Sequence, residues 1–179
     1  MQTYIAFLRG INVGGRNKIP MLALRQALES FGFKNVRTYI QSGNVVFEAG
    51  LSSTDVIITS IEKMILDTFG CSVPVLVITT AQLESILSQC PYNDEVQIST
   101  NKSYFVLLFE RPKQELLKIF KVLTYPNEQF QVSDACIYLL CLNGYGKAKL
   151  NNNAIESKLK VVATARNYRT MQKVLALVD

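Results

Sequence analysis

The hydrophobic pattern of the chain switches repeatedly between strand and helix periods. "TYIAFL" (3–8) is apolar at nearly every position, with Tyr4, Ala6 and Leu8 on one side of an extended strand and Ile5 and Phe7 on the other. In "PMLALRQALESF" (20–31) Leu22, Leu24, Ala27, Leu28 and Phe31 recur at helical spacing behind Pro20 and ahead of Gly32, which predicts a helix between those two breakers. "KNVRTYI" (34–40) and "NVVFEA" (44–49) return to strand character and are joined by the turn residues of "QSGN", so they form a hairpin. "STDVIITSIEKMILDTF" (53–69) stacks Ile57, Ile61, Ile65 and Phe69 on one helical face and stops at Gly70, and "SVPVLVIT" (72–79) is a fourth strand. The order is βαββαβ, that of a ferredoxin-like domain.

A short helix, "TAQLESILSQ", leads through "CPYND" to a second series. "SYFVLLFE" reads as a strand, "PKQELLKIFKVL" as a helix, and "EQFQVS" and "ACIYLLCL" as two strands around Ser133 and Asp134. "NNNAIESKLK" is a helix capped by asparagine, "VVAT" a short strand, and "RNYRTMQKVLALV" a terminal helix. The predicted fold is therefore α+β, two tandem ferredoxin-like halves packed together with an extra C-terminal helix. Residues 1–79 form the N-terminal half, 80–101 a connecting helix and linker, and 102–179 the C-terminal half with its terminal helix. No residue-level repeat links the halves. A first strand that is apolar on both sides requires cover on both, and the face away from the helices is expected to be covered by the partner half.

Composition narrows the chemistry. Hydrophobic residues make up 49% of the 179 positions, enough for a packed interior. No apolar run approaches the roughly 18 residues of a membrane helix, and "MQTYIAFLRGIN" lacks the basic start and cleavage site of a signal peptide, so the expected location is cytoplasmic and no membrane partner is expected. The chain has no histidine, and Cys71, Cys90, Cys136 and Cys141 include no C-x-x-C pair. No metal site is expected, Ser-His and Cys-His nucleophilic pairs are excluded, and the cysteines read as buried thiols. A general base would have to be a lysine, a tyrosine or a carboxylate such as Glu48 or Glu110, and spacing singles out none of them. No cofactor is indicated, and neither turnover nor oligomeric state can be read from the sequence.

Charge is more informative. The net charge of +5 divides into +4 for residues 1–50, −5 for 51–100, and +3 for each of 101–150 and 151–179, so the glycine-rich stretches lie in positive segments. Anionic partners are favoured. "RGINVGGRN" (9–17) follows the first strand and has the G-x-x-x-x-G spacing of a phosphate loop, from Gly10 to Gly15. Arg16 and Asn17 stand where Lys and Ser or Thr belong, and Asn17 lacks the hydroxyl that would bind magnesium, which argues against nucleotide hydrolysis of that kind. The loop can still be a nest for an anion, built from Arg9, Arg16, Lys18, the Asn12 amide and the backbone N–H groups of Gly14 and Gly15. Three further clusters could join it: Gln41, Ser42 and Asn44 of the hairpin turn; Lys147 and Lys149 of "GYGKAKL"; and Arg166, Asn167 and Arg169 at the start of the last helix.

The start "YIAFLRGINVGGRNKIPM", the hairpin "TYIQSGNVVFE", and the C-terminal "GYGKAKLNNNAIESKL" and "TARNYRT" resemble those of the bacterial family known as domain of unknown function 1697. The resemblance runs along essentially the whole chain. It implies two ferredoxin-like halves and carries no reaction with it.

The expected function is binding of a phosphorylated or otherwise anionic small ligand, nucleotide-like, at the glycine-rich loop and the three clusters gathered around it. The alternative is an RNA or single-stranded nucleic-acid module, for which Tyr4 occupies the stacking position of the first strand. An enzyme using a carboxylate or lysine base is the third reading, and a non-catalytic interaction protein the fourth.

Overall fold

The computed structural model of the chain describes residues 1–50 and 53–178. The chain divides into two compact units. One is Met1–Ser85 together with the C-terminal residues from Lys173, which the sequence pattern had assigned to the other half; the second is Ile86–Gln172.

In the first unit, β1 (Gln2–Leu8) is followed by α1 (Met21–Phe31), β2 (Lys34–Tyr39), β3 (Asn44–Ala49), α2 (Thr54–Phe69), β4 (Val75–Thr79) and the start of α3 (Thr80–Ser88). Both long helices end where the sequence predicts, at Gly32 and Gly70, which adopt the left-handed conformation that a Cβ would penalise. The sheet order is β2-β3-β1-β4, with every neighbour antiparallel. Tyr4, Ala6 and Leu8 join Val45 and Phe47 under α1 and α2, where Leu24, Leu28, Ile57, Ile61 and Ile65 complete the core. On the opposite face Ile5 sits between Val46 and Ile78 in register, and all three are buried as well.

The second unit contains α4 (Glu95–Ser99), β5 (Ser103–Leu108), α5 (Gln114–Lys121), β6 (Glu128–Val132), β7 (Cys136–Cys141), a 3-10 turn (Tyr145–Lys147), α6 (Asn152–Leu159), β8 (Ala163–Asn167) and the start of α7 (Tyr168–Leu175). Its sheet order, β6-β7-β5-β8, is again antiparallel throughout. Two details depart from the sequence reading. Helix α4 falls inside the expected linker; it is too short to show a period, and its start is fixed by Asp94 Oδ1, which accepts from Val96 N and Gln97 N. Strand β8 also continues past "VVAT", because Arg166 pairs with Phe105 and Asn167 with Tyr104 in the ladder. The helix begins one residue later, with Asn167 Oδ1 accepting from Thr170 N as its cap.

The two units repeat the same hydrogen-bond scheme. Leu8 N donates to Gly43 O and Arg9 N to Pro74 O, at 2.8 and 3.0 Å; Leu108 N donates to Ala135 O and Phe109 N to Val162 O, at 2.9 and 3.0 Å. Val75 N, at the start of β4, donates to the Glu62 carboxylate of α2, and Ala163 N, at the start of β8, donates to the Glu156 carboxylate of α6. Thr79 and Asn167 end the last strand of their units and cap the helix that follows. Register then equates Tyr4 with Tyr104, Ile5 with Phe105 and Ile78 with Arg166. The repeat unit is therefore βαββαβα, and α3 is the counterpart of α7.

Candidate functional site

The unusual composition of loop 9–20 follows first from its backbone. Gly10, Asn12, Gly14, Gly15 and Asn17 all have positive φ, and glycine and asparagine are the residues that tolerate it best. Val13 to Arg16 closes as a tight turn, with Arg16 N donating to Val13 O and both central residues, Gly14 and Gly15, at positive φ. That is the type I′ geometry of a hairpin, and a second rung follows where Asn12 N donates to Asn17 O at 3.1 Å. The segment is a miniature hairpin standing off the end of β1, and helix α1 does not begin until Met21. The phosphate-loop spacing is thus satisfied by a different structure.

The hairpin is held at its base. Asn12 Nδ2 donates to Ile19 O and to Gln41 O, both at 2.9 Å, and its Oδ1 accepts from Ile19 N. The Asn12 amide, expected to orient a ligand, is occupied in closing the loop and clasping it to the β2–β3 turn. That turn is braced in the same manner: buried Asn44 donates to Tyr39 O and Ser42 Oγ, and Gly43 lies so close to β1 that an added Cβ would fall 2.6 Å from Leu8 Cβ. Two of the predicted clusters, 9–18 and 41–44, therefore meet, with Asn12, Ser42 and Asn44 serving as framework. Arg16, Lys18 and the glycine tip are exposed, and Arg9 is half-buried.

The remaining predicted residues lie in the second unit. Lys147 and Lys149 line one small cleft of about 60 Å³ with Asn127, Asn143, Gly144 and Glu128. Glu128, only 8% exposed, accepts from Lys149 N and Leu150 N and so pins the segment that carries the lysines. Tyr145 is fixed by stacking on Tyr104, with ring centres 4.5 Å apart, and by accepting from Asn152 N; burial pushes its phenol up to about 12. Arg166 does not surround a helix start. It is 7% exposed, donates to Thr164 Oγ1 and Ala165 O, and burial lowers its guanidinium to about 10, with Tyr145 pulling the other way. Asn167 is a helix cap, and Arg169 donates to Ser99 O beside α4. Arg166 and Asn167 find their partners within three residues, but the burial of Arg166 and the bond from Arg169 to Ser99 depend on how distant segments pack, which the sequence does not display.

Candidate bases fare no better. Glu110 is exposed and Glu48 accepts from Asn35 Nδ2 on the neighbouring strand. Tyr4, on which base stacking depended, is 2% exposed and stacked on Phe47 beneath the helices. Three of the cysteines are buried, and Cys71 is half-buried. Among the described residues no group of three or more Cys, Asp or Glu could hold a metal ion, and no helix is long and apolar enough to cross a membrane.

The clearest contrast lies between equivalent ends of the two sheets. In the second unit the loop after β5 meets the β6–β7 turn through Arg111 and Asp134, whose charges pair at 2.9 Å. In the first unit the corresponding segments, 9–20 and 40–43, carry Arg9, Arg16 and Lys18 and contain no carboxylate.

Comparison with known proteins fits this architecture. A conserved bacterial protein from Streptococcus pneumoniae, SP0830, has a similar solved structure, with a TM-score of 0.74 and 21% identity over 99% of each chain, a likeness that speaks to the fold. None of the curated proteins matches the chain. The sequence profile of the family described as "Protein of unknown function (DUF1697)" matches residues 1–138, which include the glycine loop and the hairpin turn but not "GYGKAKL" or "TARNYRT". The chain belongs to that family.

Proposed function

We propose that the protein binds a phosphorylated or otherwise anionic small ligand at the hairpin loop after β1, with Arg16 and Lys18 as its principal cations and Arg9 at the base. The observation that carries this reading is the contrast between the repeats. Backbone geometry accounts for the glycines and asparagines of the loop, but not for the exposed cations Arg16 and Lys18. Where the second unit supplies Asp134 to Arg111, the first supplies no carboxylate from either segment. An anion from solution fills that electrostatic role, and a loop already clasped by Asn12 loses little freedom on receiving it.

Thermal shift in the presence of phosphate, pyrophosphate, nucleotides and short RNA tests the reading. A ligand at 100 times its dissociation constant stabilises the fold by about 2.7 kcal/mol, and the double variant Arg16→Ala/Lys18→Ala should lose that gain while keeping its unliganded stability. No shift with any anion, or an undiminished shift in the double variant, overturns the proposal.

Nucleic acid remains the second reading, now without a stacking residue because Tyr4 is buried. The salt dependence separates the two. Each neutralised phosphate of a single strand contributes about −0.7 to the slope of log K against log [salt], so a small ligand gives a slope shallower than about −2.

A further inference from the structure

Six described non-glycine residues have positive φ. Four are asparagines, and a fifth, Lys160, ends helix α6. The sixth is Ile40, at φ +47° in the β2–β3 turn, a conformation that a β-branched side chain strongly resists. The strain is not offset by full burial, since Ile40 is 50% exposed. A strained backbone therefore carries an apolar side chain that stays half exposed. Val13, 66% exposed, adds a second aliphatic side chain on the hairpin, without a positive φ of its own. The two are neighbours of the residues that join the loops: Val13 follows Asn12 and Ile40 precedes Gln41, and Asn12 Nδ2 donates to Gln41 O at 2.9 Å. The cations of the loop thus share one end of the sheet with two exposed branched aliphatic side chains.

Resting on the anion reading above, we propose that the ligand is an anion joined to a flat or apolar body, as in a nucleoside phosphate or an aryl phosphate, with the body lying on Ile40 and Val13 while the anionic group meets Arg16 and Lys18. A bare oxyanion makes no use of the aliphatic pair. A nucleobase or aryl ring that covers exposed aliphatic surface gains affinity in proportion to the area removed from water, and one half-exposed isoleucine is enough for about a tenfold effect. The chain places that surface beside the charge at the expense of backbone strain, a combination found where a ligand is engaged.

Calorimetric titration with pyrophosphate against ADP, and inorganic phosphate against phenyl phosphate, tests the proposal on the intact chain and on Ile40→Asn. Asparagine suits the left-handed conformation, so this variant should fold at least as stably as the parent; Val13→Ser provides an independent check on the other aliphatic residue. The expected result is tighter binding of ADP or phenyl phosphate than of its inorganic counterpart, by about tenfold, with most of that gain lost in Ile40→Asn and the inorganic affinities unchanged. Gain with ADP alone identifies a nucleoside phosphate, and gain with both identifies an aromatic body of either kind. Equal affinities within each pair, or a gain that survives both substitutions, overturn this inference while leaving anion binding in place. Failure of all four probes to bind overturns the anion reading itself.

Discussion

Replacing Gly43 by alanine separates two costs that glycine substitutions usually mix. At Gly43 the new Cβ would lie 2.6 Å from Leu8 Cβ and 2.9 Å from Ile11 Cδ1, and φ is +77°. At Gly14, φ is +57° with no atom within 4 Å of the added methyl. The left-handed backbone costs alanine about 1–2 kcal/mol at both positions. Both variants regain about 0.4–1 kcal/mol through a stiffer unfolded chain. Only Gly43→Ala adds overpacking, about 1–3 kcal/mol, because Leu8 Cβ is the root of its side chain and can yield only if β1 moves. Urea unfolding of the two variants, at equal m-values, should therefore differ by about 1–3 kcal/mol, with Gly43→Ala the weaker. A difference below about 0.5 kcal/mol would show that the turn relaxes freely and that its contact with β1 does not position the loop. Gly43→Ala should also blunt the stabilisation by pyrophosphate, since a displaced turn carries Gln41 O away from Asn12.

Asn12→Ala removes three hydrogen bonds and a residue suited to positive φ. It should cost about 1–3 kcal/mol in urea unfolding and expose the loop to limited proteolysis, whereas resistance equal to the parent would show that the clasp is dispensable. Burial raises the Tyr145 phenol and the Cys141 thiol to about 12, so the unfolded chain gives up these protons first. Stability should be intact below about pH 9 and fall as pH rises from there toward 12, and Tyr145→Phe should flatten that fall; a fall of unchanged steepness in the variant contradicts the assignment. In an aromatic-disulfide thiol titration of the native protein Cys71 should react first, with the three buried cysteines reacting only on unfolding; an early burst of two or more thiols contradicts the burial pattern.

Periodicity made most of the fold legible, because both halves alternate strand and helix with glycine or asparagine at the boundaries. What it missed depends on distant partners. Arg166 belongs to a strand because Phe105, sixty-one positions earlier in sequence, pairs with it, and its local sequence "TARNYRT" reads equally well as a helix start. The repeat was hard to see because many of the matched hydrogen bonds join backbone groups, and the side chains that do match, Glu62 with Glu156 and Tyr4 with Tyr104, are scattered among dissimilar neighbours. At the loop, the sequence identified the cations and the need for positive φ. It could not show that Asn12 spends its amide on Ile19 and on Gln41, twenty-nine residues away, nor that Tyr4 turns toward the helices rather than to solvent.

A duplicated backbone also creates a hazard during folding, since a strand from one half fits the sheet of the other as far as hydrogen bonds are concerned. Divergence of the side chains gives protection. If β8 took the place of β4 beside β1, Arg166 would enter the position of Ile78, next to Ile5 and without the aromatic ring of Phe105. The guanidinium would then lie among aliphatic neighbours, a mismatch that the correct pairing avoids. Unlike side chains at equivalent positions thus weigh against strand exchange between the halves.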